Sequence, residues 1–137
     1  MGMKSRVKGK VGEREIAAIV RDLTGWEVRR KVRQLDGESD LEGVPGWCVE
    51  VKRHATATRG DIAGWWKQAV DQAQAEDAMP ILFFRKDRDE WRAVWPSQIE
   101  HGDALTAYEW TVEGSIEAWA YIAREMVGEA LAALKGE

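Results

Sequence analysis

The chain of 137 residues holds one cysteine, two histidines and three prolines. A lone Cys48 excludes an internal disulfide and any multi-cysteine zinc site. Its simplest setting is a reducing cytoplasm. With His54 and His101 as the only imidazoles, a histidine metal cluster or a histidine-based triad is not expected. No apolar run reaches membrane-spanning length, and no charged-then-apolar leader resembles a signal peptide, so no membrane partner is expected. The stretch GKVG lacks the Gly-Lys-Ser/Thr ending of a phosphate-binding loop, which argues against a nucleotide cofactor.

What is present reads as one soluble domain over 1–137, 45% apolar and 32% charged, long enough for a real core. Eight tryptophans are many for this length; most belong in the core or at an interface, and some could stack on bases. The net charge of −4 is unevenly placed. Residues 1–60 carry 13 Lys and Arg against 9 Asp and Glu, +4; residues 61–137 carry 7 against 15, −8. A basic half can be the footprint of a phosphate-binding face. Its first part, with Lys4, Arg6, Lys8 and Lys10, reads as a flexible basic arm over 1–10, either a solvated tail or a DNA contact.

Helical periodicity runs over 11–24, with Ile16, Val20 and Leu23 on one stripe and Gly25 as the stop. Strands are expected at 26–33, 47–53, 80–85 and 90–96, with 47–53 the most strand-like, and a short strand or extended piece at 40–44. Turns fall at 34–39 and at Pro45-Gly46, a helix over 61–78, and an amphipathic helix over 115–134. Residues 97–102 suggest one helical turn, and 106–112 are ambiguous. The order, roughly αβββαββα, predicts an α/β domain whose mixed central sheet is flanked by helices.

Within the strand at 47–53, the run VEVKR sets Glu50 and Lys52 on one face. Alone, that pair is equally an ordinary surface ion pair on a half-exposed strand. Asp40 lies ten residues upstream, across the Pro-Gly turn. If 40–44 and 47–53 form a hairpin, Asp40 comes beside Glu50. Two converging carboxylates repel unless a cation lies between them, and oxygen donors suit Mg²⁺. A lysine on the same face could orient a metal-bound water or steady charge on a phosphate. Glu13 falls on the apolar stripe of the first helix, either meeting a partner in the core or half exposed at the stripe's end, while Glu15 reads as the solvated glutamate of that helix.

Glu13, Asp40 and Glu50-x-Lys52, in that order, resemble the PD-(D/E)xK nuclease superfamily. The likeness is nearest to Holliday-junction resolvases of archaeal and phage type, with Lys8-Gly9 and Glu13-Arg14 in the opening segment. It spans roughly residues 4–95. It departs at Ser39, where the motif name has proline, and residues 97–137 match no pattern. The resemblance implies a restriction-endonuclease-like core over 11–95, with a C-terminal extension at 97–137 packing on the core or on a dimer partner. It implies Mg²⁺-dependent cleavage, with Mn²⁺ as substitute, and a homodimer acting on branched DNA, in a host cytoplasm if phage-encoded.

Carried over by position, Glu13, Asp40 and Glu50 are the acidic metal-site residues, joined by the Val51 carbonyl, and Lys52 is the catalytic lysine. Gln68, on the helix after the motif, takes the place where relatives have a supporting glutamine; a surface glutamine is the alternative. Arg14, Arg53, Arg59 and Lys67 border the site as DNA contacts or as plain surface charges. Cys48 reads as a small core residue. The expected function is a structure-selective endonuclease resolving four-way junctions. The alternatives are a restriction-type, mismatch or single-strand nuclease of the same fold, or a catalytically silent DNA-binding module.

Overall fold

In the computed structural model, which describes residues 2–31, 39–99 and 106–136 and, within them, side chains from Lys8 onward, a long first helix, α1 (Gly2–Thr24), leads into a two-residue strand, β1 (Arg29–Arg30). Then come β2 (Leu41–Glu42), β3 (Trp47–His54), α2 (Arg59–Ala75), β4 (Met79–Lys86), β5 (Arg92–Pro96), β6 (Thr111–Gly114) and α3 (Ile116–Gly136). The main sheet has order β3-β4-β5-β6. β3 and β4 run parallel, from Trp47 opposite Met79 to His54 opposite Lys86, and α2 is the crossover that a parallel pair requires. β5 and β6 are antiparallel additions. The sheet is therefore mixed, as expected.

Strand alternation divides the core in two. Val49, Val51, Ile81, Phe83, Ala93 and Trp95 face one side, where Ile16, Ala17 and Val20 of α1 and Ile116, Trp119 and Ala123 of α3 pack on them. Leu82, Phe84 and Val94 face the other side and meet Ile62, Trp66 and Ala69 of α2. Glu50 and Lys52 thus share the α2 side. Gly12 lets α1 lie close on β3, because a Cβ there would come within 3.3 Å of Arg53 Cβ and 3.2 Å of the Trp91 ring. No helix among the described residues is long and apolar enough to cross a membrane.

Several expectations change. Residues 2–10, expected as a flexible basic arm, belong to helix α1, which begins at Gly2. Lys4 and Arg6 have side chains outside the described residues. The strand over 26–33 is short, Arg29–Arg30, with 32–38 outside the description. Arg59 and Gly60 open α2, because Thr58 caps it: the Thr58 hydroxyl accepts the Asp61 N–H at 3.1 Å, and the Asp61 carboxylate accepts the Thr58 N–H at 3.0 Å. Residues 97–99 form no helical turn, and 100–102 lie outside the description. The ambiguous stretch resolves into a 3₁₀ turn at Tyr108–Trp110 followed by β6.

The hairpin is also corrected. β2 pairs with β1, not with β3. Gly43, at φ +93°, makes the necessary close approach: a Cβ there would collide with the Glu27 carbonyl. Ser39 and Asp40 reach β3 by individual hydrogen bonds on its outer edge. The Asp40 N–H donates to the Val49 carbonyl at 2.8 Å, and the Val49 N–H donates to Ser39 Oγ at 2.9 Å. Ser39 Oγ lies 2.8 Å from the Leu41 carbonyl it can donate to. Ser39 thus staples the segment to the strand with a hydroxyl, a bond that proline lacks the group to make.

Candidate active site

β3 alternates its backbone groups as well as its side chains. Its bonds to β4 use one edge; the other edge carries the polar groups of Val49 and Val51. The Val51 N–H donates to Asp40 Oδ2 at 2.7 Å. A strand residue presents its N–H and C=O to the same side, so the Val51 carbonyl lies on the edge that Asp40 occupies. Glu50 reaches the same neighbourhood from the α2 face.

Burial pushes both carboxyls upward. Burial first, then the charge of Glu50, raises Asp40 from 3.8 to about 8, against the lowering pull of the Val51 N–H. Glu50, only 2% exposed, is raised by burial, partly offset by Lys52, the Gln72 amide and a hydrogen bond with Asp40. Lys52 Nζ lies 3.3 Å from Glu50 Oε1. Glu50 Oε2 is buried and has no hydrogen-bond partner. A paired carboxyl set at one strand edge with an orphaned buried oxygen fits a hard divalent cation, which needs only one or two carboxylates from the protein.

Glu13 is buried, 8% exposed, as its place on the apolar stripe demands. Its partner is Arg30, whose Nε donates to Glu13 Oε2 at 2.6 Å. Glu13 is near enough to raise Asp40 further by its charge. Yet among the described residues no three His, Cys, Asp or Glu side chains converge as a metal group. Of the expected set, Asp40 and Glu50 meet beside Lys52 and the Val51 carbonyl edge, and Glu13 stands beside them on an arginine.

Gln68 is exposed on α2. The glutamine that reaches Glu50 is Gln72, one turn later and 7% exposed. At about 100° per residue, Gln72 lies roughly 40° closer than Gln68 to the stripe of Ile62, Trp66, Ala69 and Ala73, so helical phase was the available signal. Arg30 carried none, since its partner lies in another element.

The basic residues divide. Lys10, Arg14 and Arg59 are exposed. Lys8 pairs with Asp87 at 2.8 Å and Lys67 with Asp71 at 3.2 Å. Arg53 Nη1 lies 3.1 Å from Glu15 Oε1. Glu15 is not the solvated glutamate expected. Its carboxylate also accepts from Arg85 Nη1 at 3.0 Å and Trp91 Nε1 at 2.8 Å, binding α1 to β3, β4 and the residue before β5. Cys48 is a core residue as read, with a thiol raised by burial.

Residues 4–118 match the model of the family described as "Phage putative PDDEXK endonuclease". Protein D14 of Escherichia phage T5 is 29% identical over 112 residues, covering 66% of this chain and 70% of that protein. The structure of Hjc, a Holliday junction resolvase from the archaeal hyperthermophile Archaeoglobus fulgidus, superposes with a TM-score of 0.51 at 18% identity. That likeness covers 82% of this chain and 95% of that one, and shows a shared restriction-endonuclease-like fold.

Proposed function

The chain belongs to the phage PDDEXK endonuclease family, and on that premise we propose that this nuclease is a divalent-metal-dependent, structure-selective DNA endonuclease that nicks four-way junctions in symmetric pairs. The observation that supports the chemistry is the meeting of Asp40, Glu50 and Lys52 at one edge of β3.

Asp40, Glu50 and the Val51 carbonyl would hold Mg²⁺ or Mn²⁺. The bound ion would lower the pKa of a water and shield charge on the scissile phosphate. Lys52, within 3.3 Å of Glu50, is placed to donate to the attacking oxygen or to a non-bridging phosphate oxygen. Gln72, near enough to Glu50 to lower its pKa, is placed to steady that carboxylate from α2. Arg30 holds Glu13 beside the pair through a 2.6 Å hydrogen bond, where its carboxylate would accept from a water of the metal. Attack by water on phosphorus, with rupture of the bond to O3′, leaves a 5′-phosphate and a 3′-hydroxyl.

The junction substrate is the reading favoured by the fold shared with Hjc, itself a Holliday junction resolvase. Two symmetric nicks need two active sites, hence a homodimer. The C-terminal half of α3 supports that reading: Leu131 is 53% and Leu134 71% exposed. The test is cleavage of a labelled four-way junction in the presence of competing linear duplex and single strand. Paired nicks that require Mg²⁺ and vanish in Asp40→Ala are expected. Equal cutting of every substrate would leave a nuclease without junction selectivity, and tight binding without cutting under any metal would leave a silent DNA-binding module.

A further inference from the structure

Beyond Lys52, β3 carries one more side chain on the α2 face, His54. At strand rise the two are about 7 Å apart along the chain. The His54 ring stacks on Trp65 of α2, with centroids 4.8 Å apart and planes 21° from parallel. Trp65 in turn lies 6.2 Å from the buried Phe84 ring. Trp65 meets Phe84 at a tilt of 45°, so the stack is anchored on the core and ends in His54, which is exposed.

Basic residues stand on the neighbouring strand and helix. Lys86 stands opposite His54 in the sheet register, Arg59 is exposed at the start of α2, and Lys52 lies two residues back. Of the nearby acids, Asp61 is engaged in capping α2, Asp87, whose N–H donates to the His54 carbonyl, pairs with Lys8 at 2.8 Å, and Asp89 lies 3.6 Å from Lys86 Nζ. An exposed aromatic platform among cations is the combination that holds single-stranded nucleic acid, because every base offers a π-face to stack. In an intact duplex those faces are covered by neighbouring bases. A strand that is unpaired or frayed exposes them.

We propose that the His54–Trp65 stack receives an unpaired DNA base next to the Asp40–Glu50–Lys52 site, so that a base frayed at a branch point is held there by stacking. The inference rests on the nuclease reading for its substrate class, but its test needs no cleavage. Wild-type protein, His54→Ala and His54→Tyr are titrated, with EDTA present, against fluorescein-labelled oligothymidylate and against a blunt duplex of equal length. His54→Ala is expected to bind oligothymidylate roughly tenfold more weakly. His54→Tyr, which restores a ring without the imidazole, is expected within about twofold of wild type, and duplex binding is expected to be equal for all three. The proposal is overturned if wild type does not bind oligothymidylate, if His54→Ala binds it as wild type does, or if tyrosine fails to rescue. It is likewise overturned if His54→Ala weakens duplex and single strand equally, which would mark the stack as a packing contact of β3 on α2. Failure of the junction-cleavage assay alone would overturn the nuclease reading and leave these binding results standing.

Discussion

Asp40 carries the sharpest electrostatic consequence. Its folded pKa of about 8 lies above its ordinary 3.8, so between those values the folded state binds more protons than the unfolded chain. The stability this group contributes is fully present below pH 4 and is lost as pH rises through about 8. In EDTA, the melting temperature of wild type should therefore fall between pH 5 and pH 8 relative to Asp40→Asn. Scanning both proteins by fluorescence melting checks this, and subtraction removes groups common to both, such as His54. Adding Mg²⁺ should recover most of the loss at pH 8, because a cation favours the ionised pair. A pH-independent difference would mean the two carboxyls do not share a buried site. Lys52 and the glutamines separate by kinetics. Lys52→Ala should lower kcat by about 10²–10³ with junction affinity little changed. Gln72→Ala should lower kcat by roughly tenfold through a looser Glu50, whereas exposed Gln68→Ala should leave it unchanged. Single-turnover cleavage at saturating enzyme measures all three.

Among the elements, α1 and α2 are fixed by different means. α2 starts where a reciprocal cap starts it, so Thr58→Ala should cost about 1 kcal/mol in urea unfolding. α1 is tied through Glu15 to Arg53, Arg85 and Trp91. These are charge-assisted bonds, but the Glu15 side chain is 30% exposed, and solvent screens it. Glu15→Ala should therefore cost about 1–2 kcal/mol. It should also loosen the seat of α1, and with it Glu13, so activity should drop further than the stability loss alone explains. Equal activity in the remaining folded fraction would show that Glu15 serves only stability.

For the whole molecule, α3 divides at its middle. Its first half buries Ile116, Trp119, Ala120 and Ala123 against the sheet and α1, while Leu131 and Leu134 remain exposed. A second copy that covers these residues would complete the pair of active sites that symmetric nicking requires. Leu131→Asp with Leu134→Asp should then convert a dimer into a monomer in sedimentation velocity, with the melting temperature of the monomer nearly unchanged. Paired nicks should become single nicks. A wild type that sediments as a monomer on junction DNA would remove the dimer from the account.

Local pattern was enough for much of this protein. Period-two alternation at Trp47–His54 set Glu50 and Lys52 on one face, and helical period placed Glu13 toward the core, because side-chain direction follows from backbone geometry within one element. The apolar run at 80–85 and the amphipathic C-terminal helix were legible for the same reason. Contacts between elements were not. That Arg30 pairs with Glu13, that Gln72 rather than Gln68 comes near Glu50, and that Glu15 ties α1 to Arg53, Arg85 and Trp91 depends on where segments far apart in sequence come to rest. Asp40 shows both parts in one residue. Its spacing from Glu50 suggested a carboxylate pair, but the expected hairpin did not form. Individual hydrogen bonds to Val49 and Val51 bring it to β3, and the burial that follows, a property of the packed molecule, raises its pKa.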